Sequence, residues 1–142
     1  AVRAALVEGV IDAIATDHAP HAEYEKDVEF TAAPPGMLGL ETAFAVVCEL
    51  VRAGEITPLE LMRRMSTNPA RILDLTGGSL AVGALADVVV LDPERQWTYD
   101  AAAGYSKSRN SPWSGRALTG RVVATFVGGR LVYEIERGVV AQ

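Results

Sequence analysis

The first apolar positions fall at helical spacing. Val2, Leu6 and Val10 recur every four residues, which predicts the end of an amphipathic helix over residues 2–11. Ala13-Ile14-Ala15-Thr16 is then a short apolar run. Following a helix, such a run predicts a parallel strand buried on both faces. It stops at Asp17, and a polar stretch containing Pro20, Pro34 and Pro35 follows to about Leu38. Leu40, Phe44, Val47 and Val51 resume the helical spacing. They predict a helix over 40–53, with Gly54 as its stop.

The next helix start is written in its capping residues. Thr57 suits the N-cap, Pro58 the first helical position and Glu60 the third position of a capping box. That helix is expected to run to about Ser66, with Leu61, Met62 and Met65 inward. Asn68-Pro69 repeats the cap-plus-proline signal and predicts a short helix ending before Gly77-Gly78. After Gly78 the pattern turns to β. Ser79–Val82 and Asp87–Leu91 are short β-type runs bounded by Gly and Pro. Residues 121–127 and 130–135 flank Gly128-Gly129 and predict a hairpin with a two-residue turn. The stretch from Ala101 to Ser114, rich in Ser, Gly and Ala, reads as a loop. No internal repeat or low-complexity segment interrupts this order.

Composition narrows the function classes. The chain has 142 residues, 49% hydrophobic and 22% charged, with a net charge of -5. No basic stripe is present, so a nucleic-acid surface is not expected. No apolar run is long enough to cross a bilayer, so no membrane partner is expected. A single cysteine, Cys48, excludes an internal disulfide framework and fits a reducing cytoplasm. The start has neither a signal-peptide layout nor an initiator Met. The chain is therefore expected to begin inside something larger.

The candidate chemistry lies where the first strand ends. In parallel α/β barrels active sites are built at the C-terminal ends of strands. An ionised Asp in such a place needs a metal, a base partner or several donors. The only two histidines, His18 and His21, lie within four residues of Asp17, and Pro20 stiffens the turn between them. A strand-end Asp also serves commonly as a turn or helix cap. His18 reads equally as a packed or surface histidine, and His21 as an inert loop residue. Cys48 reads as a small buried hydrophobe. Trp97 and Trp113 read as packing residues, Arg71 as a structural tie, and Glu25 and Lys26 as solvent-facing or part of a lid.

The run Ile14-Ala15-Thr16-Asp17-His18-Ala19-Pro20-His21 is followed by Glu25-Lys26, Phe30 and Ala33-Pro34-Pro35-Gly36-Met37-Leu38-Gly39-Leu40-Glu41-Thr42. It resembles the signature of the bacterial class I dihydroorotases. Ser66-Thr67-Asn68-Pro69-Ala70-Arg71, Gly78 to Val90 and Ser111-Pro112-Trp113 are similar to that family's tail. The Asn-Pro-Ala-Arg and Ala-Asp-Val-Val-Val pieces are shared across the wider amidohydrolase superfamily and do not choose a substrate.

The resemblance implies an α/β fold: the C-terminal part of a metal-dependent TIM-like barrel plus part of a small β-sandwich. Residues 1–76 would be the last barrel helix-strand-helix units and the helices after them, and 77–142 the sandwich portion. It implies reversible conversion of L-dihydroorotate and N-carbamoyl-L-aspartate, a step of pyrimidine synthesis, in the cytoplasm. Asp17 would be both metal ligand and acid/base. His21 would contact the substrate carboxylate, and the main chain at Pro35 and Gly36 the pyrimidine ring. One or two zinc ions are implied, because zinc provides hydroxide at neutral pH and polarises the amide carbonyl. Implied partners are the rest of the barrel, from a missing segment or another chain, further copies of the protein, and aspartate transcarbamoylase.

The family's remaining histidine ligands, its bridging acidic or carbamylated residue, and its substrate-holding arginine and asparagine are absent from this sequence. Two rival readings stay open: a hydrolase of the allantoinase or dihydropyrimidinase kind, and a non-catalytic paralogue acting as scaffold for aspartate transcarbamoylase. One aspartate does not retain a catalytic zinc, which takes several protein ligands. The isolated 142-residue chain is therefore predicted to be inactive and to bind zinc weakly. Tight stoichiometric zinc in a metal assay would overturn this.

Overall fold

Helical and β segments divide the chain in sequence. A computed structural model describes residues 1–140. Helix α1 (Val2–Val7) is followed by a single helical turn, α2 (Glu23–Lys26), then by α3 (Ala43–Arg52), α4 (Pro58–Met62) and α5 (Asn68–Ile72). Strands β1 (Val88–Thr98), β2 (Ala117–Val127), β3 (Arg130–Glu134) and β4 (Gly138–Val139) form one antiparallel sheet in the order β1-β2-β3-β4. The α/β class expected from the sequence is the class observed. Among the described residues no helix is long and apolar enough to cross a membrane.

Local sequence accounts for most boundaries. The Thr57 hydroxyl accepts from the Glu60 N–H at 3.2 Å, and the Glu60 carboxylate accepts from the Thr57 N–H at 2.8 Å, closing the capping box. These bonds to Thr57, backbone first, hold the Glu60 carboxyl below its ordinary range. Val127 pairs with Arg130 across Gly128 and Gly129 at φ +56° and +79°. Two successive positive φ values define the turn that matches strand twist.

Asn68-Pro69 behaves differently from its reading as a fresh helix start. Arg63–Thr67 forms a π-helical turn that joins α4 to α5, and the Asn68 N–H reaches back to the Arg63 carbonyl. Pro69 has no N–H to continue that pattern, so the Arg64 carbonyl is left free. It accepts instead from the Ile14 N–H at 2.9 Å. The Arg64 guanidinium, buried, donates to the Leu6 carbonyl at 2.8 Å, and the Asn68 amide donates to the Asp12 carbonyl at 2.8 Å. This continuous helical stretch thus braces residues 6–14 through Arg64 and Asn68. Arg71, read as the structural tie, is exposed; Arg64 performs that task.

Four further readings are corrected. The first helix ends at Val7, with Val2 and Val10 exposed. Residues 13–16 form no strand: the sole ladder-type contact nearby is a parallel bridge between His18 and Met37. A parallel strand needs partners on its flanks, and among the described residues none lies beside 13–16. Ser79–Val82 is likewise irregular, with Leu80 and Val82 exposed. Leu40 also lies outside the helix it was assigned to and is exposed.

The core has two parts joined by α3. Leu6, Cys48, Leu50, Ile56 and Leu61 form one cluster, with Ile14, Phe44, Val47, Met62 and Met65 against it. Ala45, Tyr99, Ala101 and Leu118 form the other, flanked by Trp97 and Trp113. Cys48 and both tryptophans therefore pack as read, and burial pushes the Cys48 thiol up. Leu61 is 1% exposed. Leu61→Ala is predicted to cost about 3 kcal/mol, read as the shift in a urea unfolding midpoint; a loss below about 1 kcal/mol would mean that this cluster is loosely packed.

Candidate functional site

Two backbone segments lie side by side around Asp17. Residues 17–21 follow the stretch braced by Arg64, and residues 34–39 lead into α3. His18 bridges Met37 in parallel, and the Ala19 N–H donates to the Met37 carbonyl at 2.9 Å. Asp17 itself has φ +45°, a left-handed conformation that Asp enters more readily than most residues. Its side chain is exposed, and among the described residues its carboxylate accepts no hydrogen bond. The turn therefore presents an uncommitted carboxylate to solvent.

Close approach of the two segments depends on glycine. Gly36 has φ +121°, and a Cβ there would lie 2.6 Å from the Ala19 Cβ and 3.1 Å from the His21 Nε2. At Gly39 a Cβ would lie 2.8 Å from the Thr16 carbonyl oxygen. Both are contacts that a side chain does not make.

Side chains then fix the pair. His21 Nε2 donates to the Pro35 carbonyl at 3.1 Å, so that nitrogen carries the proton. Its Nδ1 lies 3.4 Å from Glu25 Oε2, which also accepts from the Ala22 N–H at 2.8 Å. Lys26 Nζ donates to the Pro34 carbonyl at 2.6 Å and to the Gly36 carbonyl at 2.9 Å. Of Glu25 and Lys26, both read as solvent-facing or a lid, Lys26 instead ties the α2 turn to the 34–36 loop, and Glu25 holds the start of that turn and His21. His18 Nδ1 accepts from the Gly39 and Leu40 N–H groups at 3.1 and 3.3 Å. It is thereby the neutral acceptor that anchors the entry to α3, a role its sequence context did not reveal. The sequence reading also missed Asn110, whose amide bonds to Ala19, His21 and Gly36. The Ser111-Pro112-Trp113 run, one residue further on, was the available signal.

His21, Pro35 and Gly36 are thus brought together, with Asp17 at the start of the same strip. As a carboxylate with free oxygens, Asp17 fits the role of one metal ligand. Among the described residues no group of three or more His, Cys, Asp or Glu gathers to hold a metal ion. A cleft of about 360 Å³ between α3 and the sheet is lined by Glu41, Trp97 and Arg121 among others. A smaller one of about 160 Å³ lies behind Thr16 and Met37. None of Asp17, His21, Pro35 and Gly36 lines either. The strip lies outside both of these clefts.

A model of the amidohydrolase family matches residues 1–132. The chain belongs to the amidohydrolase family. Within it, the chain is 54% identical over 137 residues to a dihydroorotase of Anaeromyxobacter dehalogenans, covering 96% of this chain and 32% of that protein. It is 53% identical over 135 residues to a dihydroorotase of Pelotomaculum thermopropionicum, covering 94% and 32%. This amidohydrolase chain therefore spans about a third of the length of the curated relatives it matches. Among solved structures it resembles an L-hydantoinase (dihydropyrimidinase) from Arthrobacter aurescens. The TM-score is 0.89 and the identity 31%, covering 97% of this chain and 32% of that one. The dihydropyrimidinase of Brevibacillus agri gives a TM-score of 0.87 at 26% identity, covering 96% and 31%. The fold is thus the corresponding part of the amidohydrolase fold.

Gly36→Ala is predicted to push the two segments apart. Amide hydrogen exchange at Ala19 and Leu38 should become about tenfold faster or more. Unchanged exchange would show that the loop does not depend on this close contact.

Proposed function

We propose that the chain supplies the C-terminal part of a zinc-dependent cyclic amide hydrolase that interconverts L-dihydroorotate and N-carbamoyl-L-aspartate in pyrimidine synthesis. The observation that carries this reading is the uncommitted Asp17 carboxylate, set at the head of the His21–Pro35–Gly36 strip. The 54% identity to a dihydroorotase supports the choice of substrate. In the same reading, residues 1–76 complete a barrel and 77–142 a small sandwich, and the whole enzyme works in the cytoplasm. The whole enzyme here means these residues with the remainder of the barrel. Association with further copies, and with aspartate transcarbamoylase, belongs to the same proposal.

Zinc, one ion or two, when bound would supply Lewis-acid polarisation of the ring amide and an activated water, with Asp17 as this chain's ligand. In the hydrolytic direction Asp17 takes a proton from the attacking water and delivers it to the ring nitrogen as the C–N bond breaks. Ring closure runs the same transfer backwards. His21 and the Pro35–Gly36 main chain orient the substrate. His21 Nε2 is held by the Pro35 carbonyl and Nδ1 faces Glu25. A substrate carboxylate binding to His21 would take the place of one of these contacts.

The likeness to hydantoinases favours a second reading, a dihydropyrimidinase-like or allantoinase-like activity. Higher identity to dihydroorotases ranks it behind. An intact Asp17 ranks a non-catalytic scaffold lower still. Turnover of dihydroorotate, allantoin and dihydrouracil by the whole enzyme separates the three. Dihydroorotate is expected to be turned over fastest, and Asp17→Asn is expected to lower kcat by about 10³-fold. A kcat within about tenfold of the unsubstituted enzyme would remove Asp17 from the acid/base role.

A further inference from the structure

Asn110 belongs to the irregular stretch between β1 and β2, and the chemistry above gives it no task. The Ser111 N–H donates to the Arg109 carbonyl at 2.8 Å, a tight turn with Asn110 at its tip. The stretch is anchored on both sides of that turn. Tyr99 is 2% exposed, its N–H donates to the Arg116 carbonyl at 3.0 Å, and Trp113 packs against the same cluster. From this base the Asn110 side chain reaches both strips. Its Oδ1 accepts from the His21 N–H at 3.2 Å, and its Nδ2 donates to the carbonyls of Ala19 at 2.9 Å and Gly36 at 3.3 Å. Its own carbonyl accepts from the Leu38 N–H at 3.0 Å.

We propose that Asn110 is a positioning residue that sets the spacing between His21 and the Pro35–Gly36 main chain, and through that spacing the fit of the substrate. The inference rests on reading those residues as the substrate strip. The chemistry requires a primary amide. One oxygen faces an N–H, and one NH₂ group faces two carbonyl oxygens. A carboxylate of the same shape would set an anion against both carbonyls, and a methyl group would leave the His21 N–H and the Ala19 carbonyl without this partner and the Gly36 carbonyl to Lys26 alone. The residue comes from the β-rich half of the chain, so that half has a direct part in arranging the site.

The test is steady-state kinetics of Asn110→Asp and Asn110→Ala in the whole enzyme, normalised to folded protein. KM is expected to rise about tenfold or more with kcat within about threefold, and the rise is expected to be larger for Asp. A merely structural role would lower the folded fraction and the melting temperature and leave KM unchanged. An unchanged KM in both variants overturns the proposal. If either variant fails to fold, Asn110→Ser, which keeps a shorter donor and acceptor, takes its place in the same comparison. Should the unsubstituted enzyme turn over dihydrouracil instead of dihydroorotate, the functional reading falls. The same KM comparison on dihydrouracil then still decides the role of Asn110.

Discussion

Helix α3 is buried from two sides, and the rest of the fold is arranged on it. Cys48 and Leu50 face the cluster built by α1 and α4, while Ala45 faces Tyr99 and Leu118. Small residues make the second contact possible. A Cβ on Gly120 would already lie 3.4 Å from Cys48 Sγ and from the Phe44 ring. Helix and sheet therefore meet at near-backbone distance, and a larger residue in either would force them apart. Since the 34–39 loop runs directly into α3, the position of the helix is also the position of the strip.

The strip is held by backbone polar groups more than by apolar contact. The carbonyls of Ala19, Pro34, Pro35 and Gly36 each accept from a side chain: Asn110, Lys26, His21, and Lys26 with Asn110. Irregular backbone cannot satisfy itself as a helix does, so side chains from three separate segments must complete it. The result is a firm surface carrying one carboxylate with no partner among the described residues. That combination suits a ligand contributed to a larger site, and explains why neither cleft coincides with it.

Much apolar surface is left uncovered. Phe30, Leu80, Val82 and Leu85 are exposed, and residues 13–16 lack flanking strands. Matched relatives three times as long provide a physical account. In them, the corresponding stretch has the rest of a protein against which apolar side chains and unpaired backbone can be covered. Salt bridges compensate little. Arg3 and Glu55 hold each other in their charged forms, the hydrogen bond between them being the main cause. Both are partly solvated, so the pair adds little to stability.

The sequence by itself determined what depends on neighbours a few residues apart. The Thr57–Glu60 box, the Gly128-Gly129 turn and the inward Leu61 follow from capping, φ preference and helical period. The Asp17, His21, Pro35 and Gly36 grouping was legible through its resemblance to a family signature, since composition and spacing alone left Asp17 equally a cap. Tertiary structure decided the rest. Residues 13–16 have a strand's composition but not its partners, so the expected buried strand is a half-buried irregular segment. Pro69, a local helix-start signal, instead follows a π turn, and the Arg64 carbonyl it leaves free accepts from Ile14. Asn110, Lys26 and His18 follow no period, and the signature that contains His18 and Lys26 does not give their roles. Their roles exist only where the fold brings residues up to 91 positions apart within hydrogen-bond reach, a juxtaposition that no local pattern encodes.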